Sequence, residues 1–392
     1  MELKPYFTPV DFDSLGFNDN YQNPAYLINT VLFQTAEDEE PSLAGFDMAI
    51  LGVPESRNSR NNPSAALAPD EIRRQFYRLF SWKKPVRILD LGNLIPGKEI
   101  EDTYEVVASI IAHLIENKVI PIILGGTNDL AYANYLAYAK LNKIVNMVVV
   151  DSRFDLGDDE NTITSDGYLN KIIMQQPNCL LNFANVGYQT YLNSPEDIDL
   201  MQQLYFETYR VGMLRKDMED VEPIVRNADL LALDISAVRR VDAPGNPNAS
   251  SNGFYGEEIC QVSSYAGLND KLSSFGIYEY DPTMDYNNQT SQLISHILWY
   301  FVEGYSHRQD DLNFKQKDNY FKYSVSVSEA TSELVFYRSK KTERWWMVVP
   351  VITLKKDTEQ QYLLPCSRKD YETACTDKIP DRWWRTYNKL NR

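Results

Sequence analysis

The sequence predicts a three-layer α/β/α sandwich built on a mainly parallel sheet, followed by a small C-terminal β-rich extension. Three observations predict it. Short runs rich in Val, Ile and Leu recur up to about residue 305, they alternate with segments of helical periodicity, and their hydrophobicity is continuous instead of alternating. Continuous hydrophobicity marks strands buried on both faces, and strand–helix alternation makes a sheet parallel. With 392 residues, 43% of them hydrophobic, the chain can bury a core of that size.

Residues 1–44 form an N-terminal extension, including Glu37-Asp38-Glu39-Glu40, in which no periodicity assigns an element. The strand runs of the body, 45–305, are 47–53 (DMAILGV), 86–92 (VRILDLG), 119–126 (VIPIILGG), 146–151 (NMVVVD), 179–188 (CLLNFANVGY), 229–234 (DLLALD) and 275–280 (FGIYEY). Between them the spacing predicts helices near 69–80, 101–117, 129–140, 196–206, 256–267 and 289–304. The polar stretch 306–319 (SHRQDDLNFKQKDN) opens the C-terminal extension, 306–392. There, 319–326, 333–338, 344–354 and 361–364 read as strands of an antiparallel meander, and PDRWWRTYNKLNR follows Pro380. Neighbouring residues of a strand face opposite sides, so of Trp345 and Trp346 one packs inward and the other is open to exposure. The favoured reading packs Trp345, Trp346, Trp383 and Trp384 between tail and body. The competing one, with Arg344, Arg382 and Arg385 beside them, is a protein-contact surface.

Composition excludes several function classes. The net charge is −16, which argues against non-specific nucleic-acid binding. From His307 onward, 17 Lys and Arg stand against 12 Asp and Glu, so a basic tail adjoins an acidic body. The start MELKPYF lacks a basic, then apolar leader, and no run approaches the ~20 apolar residues of a membrane span, so a cytoplasmic protein without a membrane role is expected. The four cysteines form no CxxC and imply neither disulfides nor zinc. Asn248-Ala249-Ser250 and Asn288-Gln289-Thr290 match a glycosylation pattern that means nothing without secretion. Three histidines (His113, His296, His307) lie outside every strand-end block, so no hydrolase triad is available. Gly125-Gly126 lacks the lysine of a phosphate loop and reads as a tight turn.

In an open parallel sheet, ligands sit beyond the carboxyl ends of the strands. Four runs end there in polar residues: GGTND at 125–129, DSRFD at 151–155, ALDISAVRR at 232–240 and IYEYDP at 277–282. One such carboxylate often merely caps a helix. Asp151, Asp155, Asp234 and Glu279, from three strand ends, together point to a cleft. These blocks resemble, in order and separation, those of the ureohydrolases, the arginase, agmatinase and formimidoylglutamase superfamily. The family carries Gly-Gly-Asp-His-Ser, Asp-Ala-His-x-Asp, Ser-x-Asp-x-Asp-x-x-Asp-Pro and a Glu near a late strand. LGVPES (51–56) and PSAALAPDEIRRQF (63–76) are similar to earlier family segments, and the resemblance covers about 45–305.

The resemblance implies an arginase-like fold, hydrolysis of linear amidines at two Mn2+ ions, and trimers or hexamers. Asp151, Asp155 and Asp234 match metal ligands, and Glu279 matches the residue that grips the guanidinium-like end of the substrate. Asn128, Arg153 and Ser236 stand where the family has His, His and Asp, so three of six ligand types are substituted. The family's Gly-His proton-shuttle segment has no equivalent in the 157–172 loop. Two-metal hydrolysis needs both ions, and Arg153, always protonated, repels the second. Arg153 is expected to fork onto Asp151 or Asp234. The remaining oxygen donors, Asp151, Asp155, Asp234 and the Asn128 carbonyl, suit one Mn2+, Mg2+ or Ca2+ better than zinc, and pairing without any ion stays open. Two functions follow. One is an impaired pseudoenzyme that binds a small cationic guanidino or amino ligand at Glu279 and Arg153, or scaffolds a protein partner or its own copies through the tail. The other is an active single-metal hydrolase of a formimidoylglutamate-, agmatine- or arginine-like substrate, with Asp155 and Glu279 as its catalytic residues.

Overall fold

The strands of the body, in the computed structural model, are β1 (Phe7–Thr8), β2 (Leu32–Phe33), β3 (Met48–Gly52), β4 (Ile88–Leu94), β5 (Ile120–Leu124), β6 (Val145–Val150), β7 (Leu180–Tyr188), β8 (Glu207–Arg210), β9 (Leu230–Asp234) and β10 (Ser274–Tyr278). The structure describes residues 1–17, 21–35, 42–157, 162–311, 317–328, 333–351 and 360–391. The ten strands form one sheet in the order β1-β4-β3-β5-β10-β9-β6-β7-β8, with β2 also on β4. Only β1 runs antiparallel to its neighbour.

Every residue of β3, β5, β6, β9 and β10 is buried, the physical meaning of their unbroken apolar runs. Alternate residues serve two cores. Met48, Ile50, Leu231 and Leu233 meet the helices Ala68–Phe76, Gly256–Gly267 and Gln289–Ser306 on one face. Ala49, Leu51, Leu230 and Ala232 meet Ile100–Glu116, Leu130–Lys140 and Tyr168–Met174 on the other. The three layers are therefore present as expected, and all seven strand runs become strands. The 157–172 segment is a correction: it turns helical at Tyr168, with 158–161 outside the described residues, as are Glu37–Glu40. No helix among the described residues is long and apolar enough to cross a membrane.

The C-terminal extension forms β11 (Tyr320–Val325), β12 (Leu334–Ser339), β13 (Trp345–Val351) and β14 (Gln360–Cys366), an antiparallel meander in that order, followed by helices Arg368–Cys375 and Asp381–Leu390. Residues 352–354 of the third expected strand lie outside the described residues. Both Trp345 and Trp346 are buried, because this sheet is covered on both faces. Trp345 packs in the tail's own core against Tyr323 and Tyr371, whereas Trp346 lies under the guanidinium of the body's Arg226. Trp383 is buried in the same tail core, and Trp384 is exposed, which corrects the favoured packing of all four tryptophans between tail and body.

Charged groups close the seam between tail and body. Arg226 donates to the carbonyls of Trp345 and Cys366 at 3.0 and 3.3 Å, and to Glu222 at 2.8 Å. Arg382 of the tail donates to Glu207 of β8 at 2.7 Å and to the Pro365 carbonyl at 2.6 Å. Burial alone would raise the Glu207 pKa, but Arg382, aided by Tyr209 and Asn182, overrides it and holds the carboxyl at about 2.

Candidate metal and ligand site

Four loops leave the carboxyl ends of β5, β6, β9 and β10, adjacent strands at the centre of the sheet, and converge above it. After β5 the chain turns through Gly126 at φ +71°, where a Cβ would meet the Val53 and Glu55 carbonyls at 2.8 and 2.6 Å, so only glycine fits. The turn delivers Asn128. Thr127 and Tyr104 each donate to Asp129 at 2.5 Å and brace it from behind.

After β6 come Asp151 and Asp155, the latter at φ +53°. Asp234 ends β9 and accepts the Ser236 backbone N–H at 2.6 Å. Glu279, just past β10, adopts φ +67°, which for a residue with a side chain costs about 1–3 kcal/mol and so needs firm anchoring. Its N–H donates to the Gly126 carbonyl at 3.0 Å. The amides of Asn62 and Asn246 donate to its carbonyl at 3.0 and 2.6 Å. Its carboxylate accepts the Asn128 backbone N–H and the Asn62 amide, both at 2.9 Å.

The structure thus brings Asn128, Asp151, Asp155, Asp234, Ser236 and Glu279 together as the sequence predicts. Carboxylate oxygens of Asp151, Asp155 and Asp234 lie within 4.8 Å of one another, all three buried. Arg153 departs from expectation. It does not fork onto Asp151 or Asp234; among the described residues no carboxylate oxygen lies within 4.0 Å of its guanidinium. Asp151 accepts the Arg153 backbone N–H at 2.8 Å and the Asn128 amide at 3.2 Å. Instead the Arg153 side chain lines a cavity of about 210 Å³ together with Asp151, Asp155, Asp234, Ser236 and Glu279.

Electrostatically the cluster is under-compensated. Burial, followed by repulsion from neighbouring carboxylates, pushes Asp151 and Glu279 well above the usual carboxylate range. The same two causes, burial first, raise Asp155 to about 7. Burial raises Asp234 to about 6. In both, the nearby Arg153 charge pulls the other way.

The donors suit one hard cation. Three clustered carboxylates supply oxygen ligands only. The expected Asn128 carbonyl ligand needs a correction: its NH2 faces Asp151 and Asp155, at 3.2 and 2.8 Å, while Oδ1 is buried without a hydrogen-bond partner among the described residues. A half-turn of the amide would bring that oxygen to the carboxylate side, where a cation takes it. A second ion does not fit, because Ser236 brings no carboxylate and Arg153 brings a positive charge.

Several site residues escape sequence reasoning. Asn62 and Asn246, which hold Glu279, carry no spacing signature. Arg60, Asn61 and Asn248 line the cavity mouth, and Asn248 stands out in the sequence only as a glycosylation pattern.

The comparisons with known proteins agree with this geometry. A model of the arginase family matches residues 46–303, which leaves the tail outside. Formimidoylglutamase of Staphylococcus haemolyticus (strain JCSC1435) is 25% identical over 286 residues, spanning 70% of this chain and 91% of that protein. That of Bacillus subtilis (strain 168) is 21% identical over 275 residues, spanning 65% and 86%. Among solved structures, formimidoylglutamase from Bacillus subtilis superposes with a TM-score of 0.66 at 19% identity, covering 75% of this chain and 95% of that one. Trypanosoma cruzi formiminoglutamase with Mn2+ gives 0.64 at 18% identity, covering 72% and 99%. With the sheet order, the strand-end carboxylates and a family match over most of its length, the chain belongs to the arginase family.

Proposed function

We propose that the chain is a catalytically impaired member of this family, a pseudoenzyme that holds no more than one divalent cation and binds a small cationic guanidino or amino compound. The observation that carries it is Arg153, a permanent cation on the wall of the cavity where the family pattern has its second histidine. Like-charge repulsion at that place opposes the second ion that two-metal hydrolysis would need.

What remains is a binding site. Asp151, Asp155 and Asp234, with the Asn128 amide turned, would hold one Mn2+, Mg2+ or Ca2+, and such an ion when bound supplies Lewis-acid polarisation of a ligand atom. Glu279, fixed by Asn62 and the Asn128 backbone, offers its free lone pairs to a cationic group. One observation favours the alternative of a working single-metal hydrolase: Asp151, Asp155 and Asp234 bring carboxylate oxygens within 4.8 Å of one another in the cavity that Glu279 also lines.

Metal analysis and turnover separate the two. The proposal expects no more than one metal per chain and no urea, ammonia or formamide from arginine, agmatine or formimidoylglutamate. Turnover of any of these would establish the single-metal hydrolase instead. The combined Asn128→His, Arg153→His, Ser236→Asp variant should gain Mn2+ binding, and failure to do so would undo the assignment of these positions.

A further inference from the structure

Arg153 excludes an ion, but an excluded ion does not satisfy a guanidinium. Its donors face a cavity with no carboxylate oxygen within 4.0 Å among the described residues, and leaving such a group unpaired in a partly buried site is unfavourable. The same cavity presents the buried Asp155, Asp234 and Glu279, carboxyl groups that a positive group would stabilise in their charged form. A purely cationic occupant meets one need and aggravates the other.

Geometry narrows the occupant further. The Arg153 backbone is tied to Asp151, so the guanidinium and the carboxylates share one small region. At about 210 Å³ the cavity is smaller than the roughly 300–1,000 Å³ of pockets for drug-sized ligands. Its mouth is partly closed by the reciprocal Asn61–Asn248 amide pair at 2.6 and 3.2 Å and by the Arg60–Asp166 ion pair, whose charges satisfy each other. An anionic group therefore has Arg153 as its partner inside. We infer that the site takes a compact zwitterion of the α-amino acid class, with its carboxylate forked onto Arg153 and its ammonium among Asp155, Asp234 and Glu279. The inference rests on the cation-binding reading above and names the ligand class for it. It also makes Arg153 the residue that determines specificity.

The test titrates the full chain by calorimetry with three probes: L-2-aminobutyrate, n-propylamine (the same molecule without its carboxylate) and agmatine, which carries positive charge only. The expected result is binding of L-2-aminobutyrate with n-propylamine about tenfold weaker or more, as for loss of a charge-assisted bond. Arg153→Gln should erase that difference, Arg153→Lys should retain part of it, and agmatine should bind Arg153→Gln at least as tightly as the parent. Equal binding of n-propylamine and L-2-aminobutyrate to the parent chain, or agmatine alone binding, overturns the zwitterion while leaving the cation pocket standing. If none of the three binds, the cation pocket itself falls. Should Arg153→Gln fail to fold, the comparison of L-2-aminobutyrate with n-propylamine on the parent chain decides by itself.

Discussion

Two parts of this molecule bury charge, and they do so in opposite ways. At the tail seam, Glu207 and Arg382 neutralise each other at 2.7 Å, and the Glu207 pKa falls to about 2. At the strand ends, Asp151, Asp155, Asp234 and Glu279 share the interior with one another, braced by amides and backbone N–H groups, and all four pKa values rise. At the seam each carboxylate has its cation within the chain, although Arg226 Nη1 and Arg382 Nη2 are buried with no hydrogen-bond partner among the described residues. The four site carboxyl groups have no cation within 4.0 Å among the described residues, and that is the difference between the two regions.

The largest way to break the comparison lies at the seam. Arg382→Met strands a buried carboxylate and should cost about 3–5 kcal/mol in urea unfolding, while adding Glu207→Leu should recover most of the loss. An effect under about 1 kcal/mol would show that the seam charges are solvated. At the site the sign should reverse. Asp234→Asn keeps an oxygen to accept the Ser236 N–H but removes a buried charge, so in EDTA at pH 8 it should stabilise the chain by about 1–3 kcal/mol. Destabilisation there would mean that the cluster is already compensated.

The pH dependence sharpens the contrast. Asp155 and Asp234 have folded-state pKa values raised to about 7 and about 6, so the folded chain binds more protons than the unfolded one between pH 4 and 7. Their contribution is full below the unfolded values and is lost as pH rises through 6 and 7. Glu207, depressed to about 2, contributes above the ordinary Glu range and loses that contribution as pH falls toward 2. The urea midpoint of metal-free chain should therefore fall from pH 5 to pH 8, and saturating Mn2+ or Mg2+ should flatten the fall, since the ion requires ionised carboxylates. A midpoint that climbs over this range would contradict the site's charge state. The smallest effect is expected at Trp384, which is exposed: Trp384→Ala should shift stability by no more than about 0.5 kcal/mol, read from the same unfolding curves.

How much was legible in the sequence follows the same division. The parallel sheet was readable because β3, β5, β6, β9 and β10 are apolar on both faces, and the carboxylates because they end those runs. Strand β8 was not, because its Glu207 gains a partner 175 residues away. The helix Arg368–Cys375 was missed too, although Ser367 and Asp370 form a capping box at its start. The orientation of Arg153 could not be read either. Asp151 accepts from a backbone N–H and from Asn128, which arrives from a different strand, and no spacing in the sequence shows that pairing.

Trp346 carries a consequence for how the protein is made. A chain is synthesised from its N-terminus, so the residues of the ten-stranded sheet are made before those of β13. Until Trp346 arrives, Arg226 and its surroundings face water, and the nascent body displays a surface that the finished protein never shows. A chain interrupted or clipped before β13 would therefore leave Arg226 without Trp346 over it, and that surface open to the cell's chaperones and proteases.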